Sequence, residues 1–350
     1  KLDTNAVMSP KIVLNHKTGL EEIFTQDLND NIYLISNTGK ILWKKRLDGR
    51  IKSDIFQIDF FQNNKLQFLF NTEKAIYLID RNGNYVQGYP LQLPVAATNG
   101  INVFDYEKNR DYRIVYSGAD KKIYIYKASG KLVEGFDFKG TEDSVTVPLQ
   151  WERINFKDYL IAFDKGGAVY GLGRKGENRL SVSEKIPIKN YGYNIQYGKD
   201  IDKTKFCFYD VAAKKMVKVF LNNKKEEFLV STELEDAASF VCKINDDDNF
   251  DLVLVKGKNI EIYDDRGSLI QKVETATELK PFFRQLQKNN ETYYAFIDKE
   301  NNLLIFSANW QEPEKSTAKC SQLPAIEMLN DDGYFYLIGI HNDLVSCYPF

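Results

Sequence analysis

One short pattern of apolar and polar positions recurs along the chain. In its clearer copies, the pattern consists of an apolar residue, a tyrosine, two further residues that are mostly apolar, a few polar residues and a glycine. The weaker copies lack the tyrosine, and some also lack the glycine. The copies begin at eight positions: Ile32, Ile76, Ile123, Val169, Val217, Ile260, Leu303 and Leu344. Consecutive copies are 41 to 48 residues apart. Each copy indicates a β-strand that enters a tight turn, so the chain is predicted to be built from eight similar units.

The second unit shows best how one repeat is organised. Its predicted strands span residues 56–61, 65–71, 75–80 and 85–93. The turns contain Asn63, Asn64 and Gly83, residue types that tolerate positive φ. The continuous apolar run 68–70 is typical of a middle strand that is covered on both faces, and no stretch of the chain keeps a helical spacing of apolar residues. Four short strands in about 45 residues predict the blade of an all-β propeller.

The two ends of the chain indicate how the last blade is completed. The last unit has three predicted strands, and residues 1–4 align with residues 46–49, which end a fourth strand. The N-terminus is therefore expected to complete the last blade and to remove a free sheet edge there. We predict one domain over residues 1–350, an eight-bladed β-propeller of four-stranded blades that is a fragment of a longer chain. A seven-bladed propeller with a divergent unit and two stacked β-sandwiches are the alternatives.

Two segments carry a family resemblance. Residues 34–44, LISNTGKILWK, resemble the repeat of quinoprotein-like (PQQ-type) propellers, in which a strand leads through a glycine turn to a strand ending in Trp-Lys. Residues 77–90, which end in Gly88-Tyr89-Pro90, are similar to a sequence motif of bacterial envelope proteins whose C-terminal half is a propeller of unknown function. This second resemblance covers essentially the whole chain. It implies an extracytoplasmic bacterial location, in the periplasm or at the cell surface, and no particular activity.

Composition excludes several classes of protein. The chain is 43% hydrophobic and 13% aromatic, which is too apolar for a disordered protein. The net charge is −2, so no global field attracts nucleic acid or anionic lipid, although local patches remain possible. The longest apolar run, 334–340, is strand-sized, so no membrane span is expected in this segment. We expect a monomer that binds a protein or polysaccharide partner.

Cysteine usage indicates neither a zinc site nor a dense disulfide framework. The four cysteines are far apart and none is adjacent to another: Cys207, Cys242, Cys320 and Cys347. Buried thiols are the simplest interpretation, and the disulfide state stays open. The cofactor site of PQQ enzymes includes adjacent cysteines, which this chain lacks. No cofactor is therefore predicted.

One polar stretch is compatible with a metal site. Residues 245–251 resemble the calcium loops of FG-GAP propellers, in which oxygen ligands at alternate positions surround the cation. The candidate ligands are Asn245, Asp247, Asn249 and Asp251. Residues 105–111 have the same spacing. However, Lys243 stands where the first acidic ligand is expected, and the central glycine is missing. A polar hairpin turn is the alternative interpretation.

Residues for catalysis are few. The chain has two histidines, His16 and His341, both expected in hairpins or at strand ends, and neither lies in a known catalytic motif. Asp54, Asp143 and Asp236 fall in predicted connections between blades, which border the central channel in propellers. They are the weak candidates for an enzymatic site.

Three functions are compatible with these observations. The first is a non-catalytic propeller scaffold for protein or polymer interaction in the bacterial envelope, which follows from the repeat, the missing catalytic set and the resemblance. The second is a carbohydrate-active lyase or hydrolase that uses the central channel. The third is a ligand-sensing or calcium-sensing domain. The sequence favours the scaffold.

Overall fold

All regular secondary structure is β. The computed structural model describes residues 1–180, 182–186, 193–245, 247–288, 291–310, 314–329 and 334–349. Within these ranges every regular element is a strand, so none of them contains a helix that could cross a membrane. The strands form eight antiparallel sheets, each made of strands that are consecutive in the chain. The predictions of an all-β fold and of eight propeller blades are confirmed.

The chain divides into two compact units, and unit 1 comprises residues 1–134 and 283–350. It contains five blades. Blade 1 has β1 Lys11–Leu14, β2 Glu21–Gln26, β3 Asn31–Ile35 and β4 Ile41–Arg46. Blade 2 has β5 Phe56–Ile58, β6 Gln67–Asn71, β7 Ala75–Ile79 and β8 Leu91–Gln92, and blade 3 has β9 Asn102–Phe104, β10 Arg113–Ser117 and β11 Ile123–Lys127. Blade 7 has β23 Arg284–Lys288, β24 Glu291–Ile297, β25 Asn302–Ser307 and β26 Glu314–Lys319, and blade 8 has β27 Ala325–Glu327, β28 Tyr336–His341 and β29 Leu344–Pro349.

Unit 2 comprises residues 135–282 and contains three blades. Blade 4 has β12 Gln150–Ile154, β13 Lys157–Phe163 and β14 Val169–Leu172. Blade 5 has β15 Tyr193–Gln196, β16 Lys205–Asp210, β17 Lys215–Phe220 and β18 Lys225–Leu229. Blade 6 has β19 Ala238–Cys242, β20 Asp251–Lys256, β21 Asn259–Tyr263 and β22 Leu269–Glu274.

The core of each unit lies between the faces of neighbouring blades. In blade 2, every residue of β6 and β7 is buried, whereas the outer strand β4 of blade 1 alternates between half-buried and exposed residues. Phe24 of blade 1 packs against Phe68 and Phe70 of blade 2, with ring centroids 5.5 and 5.7 Å apart. In unit 2, Phe163 and Phe206 form an edge-to-face pair at 5.0 Å. Aromatic packing of this kind holds adjacent sheets face to face.

The repeated tyrosine has a specific partner. Tyr33 donates its hydroxyl hydrogen to Oδ2 of Asp27 over 2.7 Å, and both residues are buried. Tyr170 makes the same bond to Asp164 at 3.0 Å, and Tyr124 repeats it in blade 3 at 2.8 Å. In each case the aspartate lies in the turn that precedes the strand carrying the tyrosine. We call this pair the Tyr–Asp corner, and it gives the tyrosine a structural role in three copies of the pattern; the fourth, Tyr77, follows a turn without aspartate, residues 72–74.

Amide side chains hold the connections between blades in unit 1. Gln26, the last residue of β2, donates to the carbonyl of Gly49 at 2.9 Å and accepts the N–H of Ile51 at 2.9 Å. Asn71, the last residue of β6, accepts the N–H of Ile101 at 2.9 Å. Each side chain therefore supplies the hydrogen bonds that a connection without strand partners would otherwise lack.

The N-terminus lies beside the last blade, as the alignment predicts. The N–H of Leu2 donates to the carbonyl of Asp343 at 2.7 Å, and the N–H of Leu47 donates to Asp30 at 3.0 Å in the equivalent position of blade 1. Leu2 also packs with Ile338 of blade 8 in one apolar cluster. The N–H of Ala6 also donates to the carbonyl of Asn342 at 2.7 Å, so the first residues take the place of an outer strand through two backbone hydrogen bonds.

In blades 2 to 4 the outermost strands are shorter than the pattern predicts. Residues 85–93 were expected to form one strand, but in blade 2 only β8 and one bridge, Ile79 to Tyr85, pair with the sheet. Gly88 has a φ of +89° and Pro90 has no N–H to donate, so the ladder is interrupted between them. In blades 3 and 4 the fourth strand is reduced to single bridges at Leu132 and Asn178.

Candidate functional site

The first candidate site is a polar surface in unit 1. In an antiparallel meander, the turn between the first two strands and the turn between the last two lie at the same end of the sheet. In blades 1 to 3 we call this end the hairpin face, defined by His16, Phe61, Asn64 and Arg110. Arg110 donates to Oδ2 of Asp59 at 2.6 Å and to Oδ1 of Asn64 at 2.9 Å, so it joins the hairpins of blades 2 and 3.

His16 joins the hairpins of blades 1 and 2. Its Nδ1 accepts the N–H of Leu66 at 3.2 Å. Burial lowers the pKa of His16, and the positive charges of Arg81, Lys17 and Lys65 lower it further. A neutral imidazole is the form that can accept a hydrogen bond at Nδ1. The lowered pKa therefore favours the contact between the two hairpins.

A buried ion pair anchors the same end of blade 1. Glu22 is only 2% exposed. Its carboxylate accepts hydrogen bonds from Nε and Nη2 of Arg81, the former at 3.1 Å, and from Nδ2 of Asn15 at 3.1 Å. The backbone carbonyl of Arg81 in turn accepts the indole N–H of Trp43 at 2.7 Å. An ion pair with these additional bonds fixes the turn that carries Arg81 against β2 of blade 1.

One large apolar side chain projects from this network. Phe61 is 55% exposed and is supported by Phe60, whose ring lies edge-to-face at 4.9 Å. The hydrogen bonds of Asp59 to the N–H groups of Asn63 and Asn64, at 3.0 and 2.8 Å, hold the turn that carries it. An exposed aromatic residue on a fixed turn is the kind of group that anchors protein–protein contacts.

The calcium candidates lie in the hairpin between β19 and β20 of unit 2, at residues 245–251. Oδ1 of Asn245 accepts the N–H of Asp247 at 3.0 Å, and Oδ1 of Asp247 accepts the N–H of Asn249 at 2.7 Å. The intervening Asp246 lies outside the described residues. These oxygens bond to the backbone of the turn, as the polar-hairpin interpretation predicts.

Asp251 differs from the other candidates because it is fully buried. Its Oδ2 accepts the N–H groups of Ile244 and Asn245 at 3.0 and 3.3 Å, and its Oδ1 has no hydrogen-bond partner in the described structure. Burial raises the pKa of this carboxyl to about 6. Among the described residues, no three histidine, cysteine, aspartate or glutamate side chains are grouped to hold a metal ion. Calcium binding at residues 245–251 therefore stays a prediction.

The three aspartates predicted in connections have separate surroundings. Asp54 of unit 1 forms an ion pair with Lys11, and its side chain is 63% exposed. Oδ1 of Asp143 in unit 2 accepts the N–H of Ser144 at 2.7 Å. Asp236, also in unit 2, has a φ of +50° and lines a cavity of about 440 Å³ with Lys256 and several apolar residues. Two of the three carboxylates thus bond to neighbours within their own unit, and the third aspartate is one of the residues that line a cavity.

All four cysteines are free thiols in the structure. Cys207 and Cys320 are buried, Cys242 is half-buried and Cys347 is exposed. Burial raises the pKa of Cys207 and of Cys320 to about 11 and that of Cys242 to about 12. Because the thiolate is the reactive form, these three thiols are poor nucleophiles at neutral pH.

The structure also reveals a carboxyl group that the sequence did not single out. The pKa of Glu21 in β2 is raised by burial and by the negative charges of Glu327 and Glu22. Glu327 lies in β27 of blade 8, so about 300 residues separate it from Glu21. The predicted adjacency of the first and last blades could have suggested that such residues meet, but the repeat does not fix which side chains face each other.

Comparison with known proteins supports the fold. The chain matches no protein-family model and no curated protein sequence. Solved structures do match: the Dos1 propeller at a TM-score of 0.58 and 9% identity, over 100% of this chain and 93% of that chain. Dihydro-heme d1 dehydrogenase NirN, in complex with DHE, matches at 0.59 and 10% identity, over 99% and 78%.

A third structure, BBS1N in complex with ARL6DN, matches at a TM-score of 0.53 and 12% identity, over 89% of this chain and 94% of that chain. Identities this low establish the fold alone, and function must be argued from the chain's own residues. The PQQ-type resemblance of residues 34–44 has no support from a family match. The chain has the fold of an eight-bladed β-propeller.

Proposed function

We propose that this chain is a non-catalytic propeller scaffold that binds a protein or polysaccharide partner in the bacterial envelope, in the periplasm or at the cell surface. The envelope location rests on the resemblance of residues 77–90. The scaffold acts as a monomer, without a cofactor and without nucleic acid. The comparison with BBS1N, a propeller solved in complex with a protein, is compatible with such a role.

The observation that carries the proposal is the hairpin face. Its hairpins are joined across blades by Arg110 and His16, while Phe61 stays exposed between them. Groups held in this way lose little conformational entropy when a partner binds, and that favours recognition. The same end of blade 1 is anchored by the buried pair of Glu22 and Arg81. This arrangement supports a role in presenting a surface to a partner.

Site-specific photo-crosslinking in living bacteria tests the proposal. A photoreactive phenylalanine analogue replaces Phe61 in one strain and, in a control strain, Leu28, which is 48% exposed and lies in the turn between β2 and β3 at the opposite end of blade 1. We expect a discrete crosslinked partner from position 61 that is absent from the control. Addition of purified chain should compete for that partner, whereas chain carrying Phe61→Ala should compete about tenfold less well because one aromatic anchor is removed.

A polysaccharide partner gives a crosslinked smear that disappears on glycosidase treatment, and it also supports the scaffold. Identical products from both positions, or no product from position 61, would contradict the use of the hairpin face. Turnover of an envelope polysaccharide by the purified chain would contradict the non-catalytic role.

Calcium sensing is the second candidate. It is favoured by Asp251, the last residue of the hairpin 245–251. The Oδ1 atom of this residue is buried and has no hydrogen-bond partner in the described structure. Buried carboxylate oxygens are normally paired, and a bound cation is one way to pair them. A comparison of the melting temperature with and without calcium tests this candidate.

A further inference from the structure

The tightest hairpin of unit 2 contains an unusual residue. β12 and β13 are joined by two residues, Asn155 and Phe156, and the flanking Ile154 and Lys157 are paired across the strands. The φ angles of Asn155 and Phe156 are +46° and +61°. Two positive φ angles characterise the type I′ turn, whose second position strongly favours glycine. Among the described residues, no other two adjacent non-glycine residues both have positive φ.

Phe156 gains nothing from folding that would offset this conformation. Its side chain is 95% exposed. A bulky residue in the left-handed region is strained, and glycine at the same place would relieve the strain and remove an apolar side chain from water. Strained residues of this kind are concentrated at functional sites. The conformation and the exposure of Phe156 therefore indicate a contact made outside the chain.

The charges around this turn are predominantly positive. Arg153 donates to Oδ1 of Asp158 at 2.9 Å, and Arg174 of the neighbouring turn donates to Oδ2 of the same carboxylate. Lys157 and Lys175 are exposed. Segments 150–158 and 173–179 together carry five basic and three acidic side chains, a net charge of +2, whereas the whole chain has −2. The exposed phenylalanine is thus surrounded by a local excess of positive charge.

We propose that this basic tip, defined by Phe156, Arg153, Lys157, Arg174 and Lys175, docks on an anionic lipid surface. A protein interface of standard size buries about 800 Å² on each partner and needs an extended patch, whereas here one side chain projects from a two-residue turn. A bilayer can admit a single aromatic side chain at its interface, and anionic lipids attract the lysine and arginine side chains beside it. The contact is peripheral and requires no membrane-spanning segment.

The expected strength of membrane binding follows from two contributions, the transfer of the Phe156 side chain and the attraction of the basic side chains to anionic lipid. Transfer of one phenylalanine side chain from water to the membrane interface favours binding by about tenfold to a hundredfold. Each basic side chain near an anionic surface adds roughly fivefold. The contact is therefore weak and reversible, and it depends on both the aromatic residue and the charge.

Vesicle flotation with the full chain tests this. We compare vesicles of phosphatidylcholine with vesicles that also contain phosphatidylglycerol, and use the variants Phe156→Gly, Lys157→Glu and, as a control, Leu28→Gly, which removes an exposed apolar side chain from the turn between β2 and β3. The wild-type chain should bind the anionic vesicles at least tenfold more tightly than the neutral ones. Phe156→Gly should lose at least about tenfold, Lys157→Glu should lose roughly 25-fold because its charge changes by two, and Leu28→Gly should bind like the wild type.

Unfolding does not confuse this test, because Phe156→Gly is expected to keep or raise the melting temperature as the strained turn is relieved. A lower melting temperature would contradict the strain argument. Equal binding to both kinds of vesicle, no binding to either, or unchanged binding of Phe156→Gly would each overturn the proposal. Binding to soluble polyglutamate in the absence of any vesicle binding would also overturn it and would indicate an acidic protein partner instead.

Discussion

Replacement of Tyr33 by phenylalanine removes one buried hydroxyl group and leaves the ring in place. The Tyr33 hydroxyl donates to Oδ2 of Asp27 at 2.7 Å and accepts the N–H of Asp3 at 3.1 Å. After the change, Oδ2 keeps only the bond from Nδ2 of Asn31, at 3.1 Å. A buried hydrogen bond to a charged group contributes about 1.5–3 kcal/mol. We therefore expect Tyr33→Phe to lower the free energy of unfolding by about 2 kcal/mol.

Urea titration followed by tryptophan fluorescence measures this loss. Tyr85→Phe is the matched control: Tyr85 is 38% exposed, so water solvates much of its ring, and we expect a loss below about 0.5 kcal/mol. Equal losses in the two variants would refute the idea that the Tyr–Asp corner stabilises blade 1. A Tyr33→Phe variant as stable as the wild type would refute it as well.

Two further predictions concern the hairpin 245–251. The folded pKa of Asp251 is about 6 and its unfolded pKa is near 3.9, so the unfolded chain loses this proton first, and the free energy of unfolding should fall by about 2 kcal/mol between pH 4 and pH 7. Asp251→Asn should remove that part of the pH dependence in urea titrations at pH 4 and 7, and identical pH profiles would contradict the assignment. If the hairpin binds calcium, millimolar CaCl₂ but not MgCl₂ should raise the melting temperature of the wild type and leave Asp247→Ala unchanged; no shift in the wild type would contradict calcium sensing.

The sequence predicts the inner strands of the fold better than the outer ones. Inner strands are covered on both faces, so runs such as 68–70 are continuously apolar and easy to recognise. Outer strands have one covered face and few partners, and a single Gly88 or Pro90 is enough to interrupt them. The period of the repeat determined the number of blades because each copy contributes one sheet. It could not predict the Tyr–Asp corner, which depends on the geometry of the intervening turn.

The candidate sites were harder to predict, for two physical reasons. Arg110 and Asp59 are 51 residues apart, and their contact depends on the register between neighbouring blades, which no local pattern encodes. Asn245 and Asp247 illustrate the second reason: turns and calcium loops both need side-chain oxygens at alternate positions. The pattern alone cannot distinguish the two. The sequence did not single out Phe156, because its importance depends on its positive φ angle, which the sequence does not reveal.

The amide side chains that hold the connections affect how blades could be recombined by protein engineering. Gln26 belongs to blade 1, yet it bonds to Gly49 and Ile51 in the segment that leads into blade 2. A crossover at residue 48 would separate the Gln26 side chain from the backbone groups that it bonds to and leave this buried amide without those partners. The exchangeable module is therefore a blade together with the start of the next one, offset from the repeat seen in the sequence.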